Sequence, residues 1–202
     1  MLLVETAVLI PIKALRAAKG RLTGWLPDTD RERLARWMAE RVVAAAQPLP
    51  TFVACDDDEI AVWAERLGAH VLWSPGLGLN GAIDQGVDTI AGKGAEHVVI
   101  SHGDLPLAHD LASVARAGQI VLVPDRWRDG TNVLSRPCDV TLPAAYGGGS
   151  FLAHLGAALA TGAPVTVRID ARLSIDIDTI DDCRHPLVAQ VLQPILGEAM
   201  PR

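Results

Sequence analysis

Lysine is scarce in this chain of 202 residues, and long runs of basic residues are absent. The 18 basic residues include only three lysines, Lys13, Lys19 and Lys93, and 24 acidic residues leave a formal net charge of −6. Proteins that follow a nucleic-acid backbone need a track of cations that neutralises phosphates. We therefore expect no nucleic-acid partner.

Cysteines are also few, and their arrangement excludes two classes of protein. Cys55, Cys138 and Cys183 are odd in number and scattered, and no pair has metal-ligand spacing. This usage is typical of a reduced, cytoplasmic protein with ordinary thiols. The start of the chain lacks a basic segment and a cleavage site, and its apolar run is too short to cross a bilayer. We expect a cytoplasmic location without membrane contact.

Apolar residues make up 50% of the chain, which is enough for a sizeable core. Neither an internal repeat nor a low-complexity linker marks a domain boundary. The sequence therefore predicts a single domain over residues 1–202.

The first 123 residues alternate between short apolar runs and amphipathic stretches. The apolar runs are typical of buried parallel strands and the amphipathic stretches of helices. Four strand–helix alternations with connections of crossover length predict an α/β fold, with a mostly parallel, doubly wound sheet and helices on both faces. The predicted strands are residues 4–12, 51–55, 69–73, 96–101 and 120–123, and the predicted helices are residues 31–46, 58–67, 82–91 and 111–117.

The pattern changes after residue 123. Asp129-Gly130 is a hairpin turn signal, and residues 131–134 form a predicted antiparallel strand. We interpret this hairpin as a small insertion that forms one wall of the site. Ser150 is predicted to cap a helix that ends at Gly162. A strand over 165–169, an extended stretch over 174–178 and a helix over 180–196 complete the prediction.

Three aspartates are candidate metal ligands. Asp104 follows the predicted strand that ends at Ser101, and ligands of open α/β sheets bind beyond the strand ends. Asp176 and Asp178 are two residues apart, so an extended segment points both to one side. Three carboxylates suit a hard cation such as Mg²⁺. Alternatively, Asp104 caps a helix near Ala108, and Asp176 and Asp178 are solvated, with Asp178 capping the last helix.

Two segments are candidate anion sites. Lys13, Lys19 and Arg21 follow the first strand, where many nucleotide-binding folds hold phosphate, although the loop has no Walker sequence. The glycine loop, Gly147 to Gly149, leads through Ser150 into a helix, and backbone amides at such a position bind anions. The alternatives are surface charge for the first segment and an ordinary flexible loop for the second.

Three further polar residues remain open to two interpretations. Thr131 is either a ligand or a plain hairpin residue. His102 is either a ligand-facing residue or a buried neutral one, and His154, one turn after Ser150, either reaches the same anion or packs.

Taken together, short motifs from residue 8 to residue 182 resemble the 2-phospho-L-lactate guanylyltransferase family, which makes a precursor of coenzyme F-420. The motifs are Pro11-x-Lys13, Ala18-Lys19-x-Arg21-Leu22, Gly78-Leu79-Asn80, Gly103-Asp104-Leu105-Pro106, Gly130-Thr131-Asn132, Tyr146-Gly147-x-x-Ser150-Phe151 with His154, and Asp176-Ile177-Asp178-Thr179 followed by Asp181 or Asp182. Their order and spacing make the resemblance specific.

The resemblance implies a Rossmann-like nucleotidyltransferase fold of the glycosyltransferase-A type. It implies transfer of GMP from GTP to a phosphorylated three-carbon acid, with release of pyrophosphate. 2-Phospho-L-lactate, phosphoenolpyruvate and 3-phospho-D-glycerate all remain candidate acceptors, and the product could pass to the next enzyme of the pathway.

The resemblance also assigns residues to roles. It implies that Mg²⁺ is held by Asp104, Asp176 and Asp178. It implies that the phosphorylated acid is bound by Thr131, Gly147 and Ser150, the last two largely through backbone amides. GTP would contact Lys13, Lys19, Arg21 and Asn80, and the catalytic groups would be Lys19, Arg21 and Asp104.

Two positions depart from the family pattern. The family usually has a small or acidic residue before the Asp104 motif, where this chain has Ser101-His102-Gly103, and it often has Ser after the lysine, where this chain has Gly20. The first departure leaves open whether His102 reaches the acceptor or the nucleotide. The alternative functions are a sugar-nucleotide or glycosyl transferase of the same fold and a non-catalytic nucleotide-binding module.

Overall fold

A mixed sheet of seven strands forms the centre of the protein in the computed structural model, which describes residues 6–15 and 19–197. Only β6 runs antiparallel to its neighbours, and the other pairs are parallel. The order β3-β2-β1-β4-β6-β5-β7 is built from β1 (Thr6–Pro11), β2 (Thr51–Cys55), β3 (His70–Trp73), β4 (His97–Ser101), β5 (Ile120–Pro124), β6 (Thr131–Pro137) and β7 (Val165–Val167).

The direction in which the sheet grows reverses at β1. Strands β2 and β3 extend the sheet on one side of β1, whereas β4 pairs with its other side. Ligands in open α/β sheets bind beyond the carboxyl ends of the strands at such a reversal. Lys19 follows β1 and Asp104 follows β4, so the fold places both at this point.

Helices cover both faces of the sheet, because alternate residues of a strand point to opposite sides. Val8 and Ile10 of β1 pack with α1 (Asp28–Ala45) and α2 (Asp58–Arg66). Leu9 packs on the opposite side with α3 (Gly78–Gly92) and α4 (Ser150–Ala160). The α/β prediction with helices on both faces is confirmed.

A third apolar cluster supports the segment that carries two of the acids. Ile175 and Ile177 are buried in a cluster with residues of α1 and of two further helices, α5 (Ile180–Arg184) and α6 (Pro186–Leu196). Asp176 and Asp178 alternate with these isoleucines and are only partly buried. Anchoring the isoleucines therefore turns both aspartates away from the core.

The predicted hairpin insertion is instead an integral part of the sheet. Strand β6 lies between β4 and β5, and its Val133 and Leu134 belong to the cores on opposite faces. A strand that is buried on both sides needs a neighbour on each edge, which an insertion at the rim of the site lacks.

Several element boundaries differ from the prediction. Helix α3 begins at Gly78 rather than residue 82, so Asn80 lies in its first turn. A 3₁₀ turn over Leu111–Val114 replaces the helix predicted to residue 117. The final helix is divided at Pro186, which cannot donate a backbone hydrogen bond. Strand β7 ends at Val167, and residues 4–5 and 16–18 of the predicted first strand and basic loop lie outside the described residues.

Within residues 6–15 and 19–197, none of the helices has the length and apolar character required to cross a membrane.

Gly86 brings α3 into close contact with β1. A Cβ atom at Gly86 would lie 2.8 Å and 2.9 Å from the two Cδ atoms of the buried Leu9, whereas a Cβ at Gly92 of the same helix would meet nothing within 4 Å. We expect Gly86→Leu to lower the free energy of unfolding by about 1–3 kcal/mol, because the added carbons overpack the core.

Urea unfolding followed by circular dichroism would measure the effect. Gly92→Leu is the matched control and is expected to change stability by less than about 1 kcal/mol. Equal effects of the two substitutions would contradict the packing account of α3.

Candidate active site

Three carboxylates converge beyond the carboxyl ends of β1 and β4. One oxygen from each of Asp104, Asp176 and Asp178 lies within 4.8 Å of the others. The backbone N–H of Ile177 donates to the carbonyl of Asp104 at 3.3 Å. This hydrogen bond connects residues 174–178, here called the acid-bearing segment, to the loop after β4. The predicted juxtaposition of the three aspartates is therefore present.

The alternative capping roles of these acids do not hold. The turn at Leu111–Val114 is capped by Asp110, whose carboxylate accepts a hydrogen bond from the N–H of Ser113 at 3.2 Å. Thr179, rather than Asp178, is the N-cap of α5.

Lys19 lies between two of the acids. Its Nζ donates to Asp104 Oδ2 at 2.7 Å and to Asp178 Oδ1 at 3.1 Å, and its side chain is 8% exposed. Arg21 Nη1 donates to Asp178 Oδ2 at 3.1 Å. Burial lowers the pKa of Lys19, but the negative charges of Asp104 and Asp178 outweigh burial and hold that pKa above its usual value. Lys19 therefore remains charged at neutral pH.

The cluster as a whole keeps an excess of negative charge. Burial, together with the charges of Asp104 and Asp178, raises the pKa of Asp176 to about 6. Burial also raises the pKa of Asp104, but Lys19 and His102 outweigh it and hold that pKa below its usual value. Asp104 Oδ1 is buried and accepts no hydrogen bond from the described residues. An all-carboxylate donor set with an unsatisfied oxygen fits a hard divalent cation.

Two cavities meet at Lys13 beside the acids. One, of about 260 Å³, lies beyond the ends of β1 and β2 and reaches Gly78 and Leu79 at the start of α3. The other, of about 290 Å³, is lined by Lys13, Lys19 and Asp104. Because Lys13 borders both, one extended ligand could occupy the two cavities together.

Thr131 and Ser150 are in direct contact. Ser150 is the first residue of α4 rather than its cap, and its hydroxyl oxygen accepts the N–H of Thr131 at 3.0 Å. The N–H of Ser150 donates to the carbonyl of Gly147 at 3.2 Å, and the N–H of Gly149 donates to Asp129 Oδ1 at 3.2 Å. An anion that binds the amides of Ser150 and Gly149 must displace those acceptors. The predicted role of Gly147 and Ser150 stays a prediction.

His154 is a buried structural residue beside Thr131. Its Nε2 accepts the N–H of Ala145 at 3.0 Å, so the proton is on Nδ1, which donates to Thr131 Oγ1 at 3.0 Å. Burial, followed by the nearby His102, lowers the pKa of His154 to about 4. The neutral ring therefore orients the Thr131 hydroxyl, and the packing interpretation of His154 is confirmed.

Asn80 holds the loop that precedes the glycines. Its Oδ1 accepts the N–H of Tyr146 at 2.8 Å, and its Nδ2 donates to the carbonyl of Tyr146 at 3.2 Å. The ring of Tyr146 lies between His102 and His154, with centroid distances of 5.0 Å and 4.6 Å. The structure thus uses Asn80 to place Tyr146, and a nucleoside contact of Asn80 stays a prediction.

His102 faces the acids at the edge of the second cavity. Its Nδ1 is 4.0 Å from Asp104 Oδ1, and its Nε2 is buried without a hydrogen-bond partner among the described residues. Burial lowers the pKa of His102. The His102 side chain is 29% exposed and lines the cavity, so its interpretation as a ligand-facing residue stays a prediction.

The sequence interpretation assigned no positioning role to four residues that contact the segments of this site: Arg126, Asp129, Tyr146 and Asp182. One of them had a local signal, because the spacing of Thr179 and Asp182 matches a capping box, which the structure contains. Asp129 was recognised as a turn residue, but Arg126 and Asp129 contact residues that are distant in sequence, so no local pattern could identify those contacts.

The sequence of the chain matches those of known proteins. Residues 6–188 match the family model described as "Guanylyl transferase CofC like". The phosphoenolpyruvate guanylyltransferase of Rubrobacter xylanophilus is 35% identical over 182 residues, which cover 86% of this chain and 89% of that protein. The 2-phospho-L-lactate guanylyltransferase of Methanocaldococcus jannaschii is 28% identical over 185 residues, which cover 89% and 81%.

Solved structures support the same fold at lower sequence identity. A nucleotidyl transferase from Methanothermobacter thermautotrophicus aligns with a TM-score of 0.65 and 12% identity, covering 94% of this chain and 99% of that one. A CMP:2-keto-3-deoxy-manno-octonic acid synthetase in complex with CTP aligns with a TM-score of 0.58 and 14% identity, covering 94% and 99%. The fold is therefore that of the nucleotidyltransferases, and the chain belongs to the CofC-like guanylyltransferase family.

Proposed function

We propose that this protein transfers GMP from GTP to a phosphorylated three-carbon acid and releases pyrophosphate, as a step in coenzyme F-420 biosynthesis. The observation that carries the proposal is the convergence of Asp104, Asp176 and Asp178 with Lys19 at the sheet reversal, in a chain of this family. Relatives at 34–35% identity are named phosphoenolpyruvate guanylyltransferases, and those at 28–29% are named 2-phospho-L-lactate guanylyltransferases. This ranking favours phosphoenolpyruvate as the acceptor.

In this proposal Lys13, Lys19 and Arg21 contact the phosphates of GTP. In the proposal, the nucleoside occupies the cavity beside Gly78, and the triphosphate lies along Lys13 and Lys19 in the second cavity. Lys19 and Arg21 stabilise the departing pyrophosphate, since both are cations at the acid cluster. The three aspartates would hold Mg²⁺, which supplies neutralisation of phosphate charge when it is bound.

The chemistry needs no protein nucleophile. An oxygen of the acceptor phosphate attacks the α-phosphorus of GTP and forms a new P–O bond. The bond between the α-phosphorus and the oxygen that bridges the α- and β-phosphates breaks, and pyrophosphate leaves. The acceptor phosphate is ionised at neutral pH, so no general base is required. Thr131, Gly147 and Ser150 hold the acceptor in line, and catalysis consists of positioning and charge stabilisation.

Pyrophosphate release tests the function directly. We expect the protein with GTP and Mg²⁺ to release pyrophosphate when phosphoenolpyruvate is added, and more slowly or not at all with 2-phospho-L-lactate or 3-phospho-D-glycerate. A coupled phosphate assay measures the rate, and the next enzyme of the pathway traps the short-lived product.

Reactions without an acceptor, and with ATP in place of GTP, are the controls. Folded protein that binds GTP but releases no pyrophosphate with any of the three acids would overturn the proposal. Activity with a sugar phosphate would then identify the sugar-nucleotide alternative.

Asp104→Asn tests the acid cluster. We expect kcat/KM to fall at least about 10²-fold, because the substitution removes a charge that the reaction uses. The melting temperature should fall slightly, because the substitution removes the ion pair with the buried Lys19 that holds the pKa of Asp104 below its usual value. Steady-state kinetics and thermal unfolding measure the two effects.

Asp88→Asn makes the same chemical change at an exposed position of α3 and should leave both quantities unaltered. Near wild-type activity of Asp104→Asn would show that the three acids are not the catalytic cluster.

A further inference from the structure

The turn between β5 and β6, residues 125–130, has a tightly determined shape. Asp125 Oδ1 accepts the N–H of Asp129 at 3.0 Å, and Asp125 Oδ2 accepts the N–H of Gly130 at 2.8 Å. The N–H of Asp125 donates to the carbonyl of Gly130 at 3.0 Å. A Cβ atom at Gly130 would lie 2.9 Å from Asp125 Oδ2, so a larger residue would require the Asp125 carboxylate to shift. The turn is therefore a fixed platform at the end of two central strands.

One side of this turn holds the acid-bearing segment through Asp182. Arg126 Nη2 donates to Asp182 Oδ1, and the guanidinium also stacks over the ring of Trp127 at 4.6 Å. Asp182 Oδ2 accepts the N–H groups of Asp178 at 3.0 Å and Thr179 at 2.6 Å. Asp182 is 5% exposed and both its oxygens have protein partners, so it acts on Asp178 through the backbone and is not a candidate metal ligand.

The other side of the turn holds the glycine loop. Asp129 Oδ1 accepts the N–H of Gly149 at 3.2 Å, and the carbonyl of Asp129 accepts the N–H of Phe151 at 2.9 Å. Gly149 has a φ of 72°, in the left-handed region that favours glycine. The turn thus contacts both irregular segments of the site.

We infer that the β5–β6 turn positions the two halves of the site relative to each other. Arg126 and Asp182 are positioning residues for the acid-bearing segment, and Asp129 is a positioning residue for the glycine loop. The assignment of metal and acceptor to these two halves rests on the proposed function, whereas the contacts themselves do not. The reason is geometric: transfer between two bound substrates tolerates little displacement, and neither segment belongs to a regular strand.

Hydrogen exchange tests the contacts independently of activity. Arg126→Gln should speed exchange of the amides of Asp178 and Thr179, which donate to Asp182, and leave Gly149 and Phe151 unchanged. Asp129→Ala should speed exchange at Gly149 and leave Asp178 and Thr179 unchanged. Arg128→Gln removes a charge from the same turn without touching either contact and should alter neither pair of amides.

Binding and kinetics then test the consequence. We expect Arg126→Gln to weaken Mn²⁺ binding, followed by electron paramagnetic resonance, by about tenfold or more, with the KM for the acceptor unchanged. Asp129→Ala should raise the acceptor KM about tenfold with Mn²⁺ affinity unchanged. A general loss of stability would change both parameters in both variants, so the separation distinguishes positioning from a merely structural role.

Separate exchange and binding effects support the inference, and effects that are shared or absent in both variants overturn it. If the wild-type protein shows no turnover with any of the three acids, the proposed function fails. The exchange and Mn²⁺ measurements would still decide whether the turn positions the two segments.

Discussion

Repulsion among three carboxylates is the constraint on which the rest of the site depends. Asp104, Asp176 and Asp178 lie within 4.8 Å of one another in a partly buried place, where like charges interact more strongly than in water. Lys19 offsets part of that repulsion through ion pairs with two of the acids. Lys19 itself has a φ of 58°, a left-handed conformation that costs a non-glycine residue about 1–2 kcal/mol. This unfavourable backbone conformation occurs at the residue whose side chain pairs with Asp104 and Asp178.

The apolar cores oppose this repulsion by anchoring the backbone on which the acids are mounted. Asp104 follows β4, whose residues are all buried, and Ile175 and Ile177 are buried on either side of Asp176. Separation of the acids would expose these side chains to water, at about 25 cal/mol per Å² of apolar surface. The binding geometry is thus maintained by burial behind the acids rather than by attraction between them.

The half of the site around the glycine loop is built differently, since hydrogen bonds hold it. Asn80 fixes the backbone of Tyr146, His154 orients the Thr131 hydroxyl, and Ser150 accepts the N–H of Thr131. Thr131, Ser150 and His154 are buried and Asn80 is partly buried, and the arrangement is specific because a missing partner would leave a buried polar group unpaired. One half of the site is therefore charged, and the other is a neutral hydrogen-bonded frame.

The features that depend on local periodicity could be predicted from the amino-acid sequence. The run ending at Ser101 predicted a buried strand with Asp104 beyond it, and the alternation of Ile175, Asp176, Ile177 and Asp178 predicted two acids on one side. Burial of alternate residues is a property of a short segment, so both could be recognised without the fold. Three other features could be seen only in the folded protein. Strand β6 lies between β4 and β5, and Asn80 accepts a hydrogen bond from the backbone of Tyr146. Arg126 pairs with Asp182, which is 56 residues away. These features depend on the order in which distant strands pair, and a local pattern carries no information about the partner that a side chain meets across the sheet.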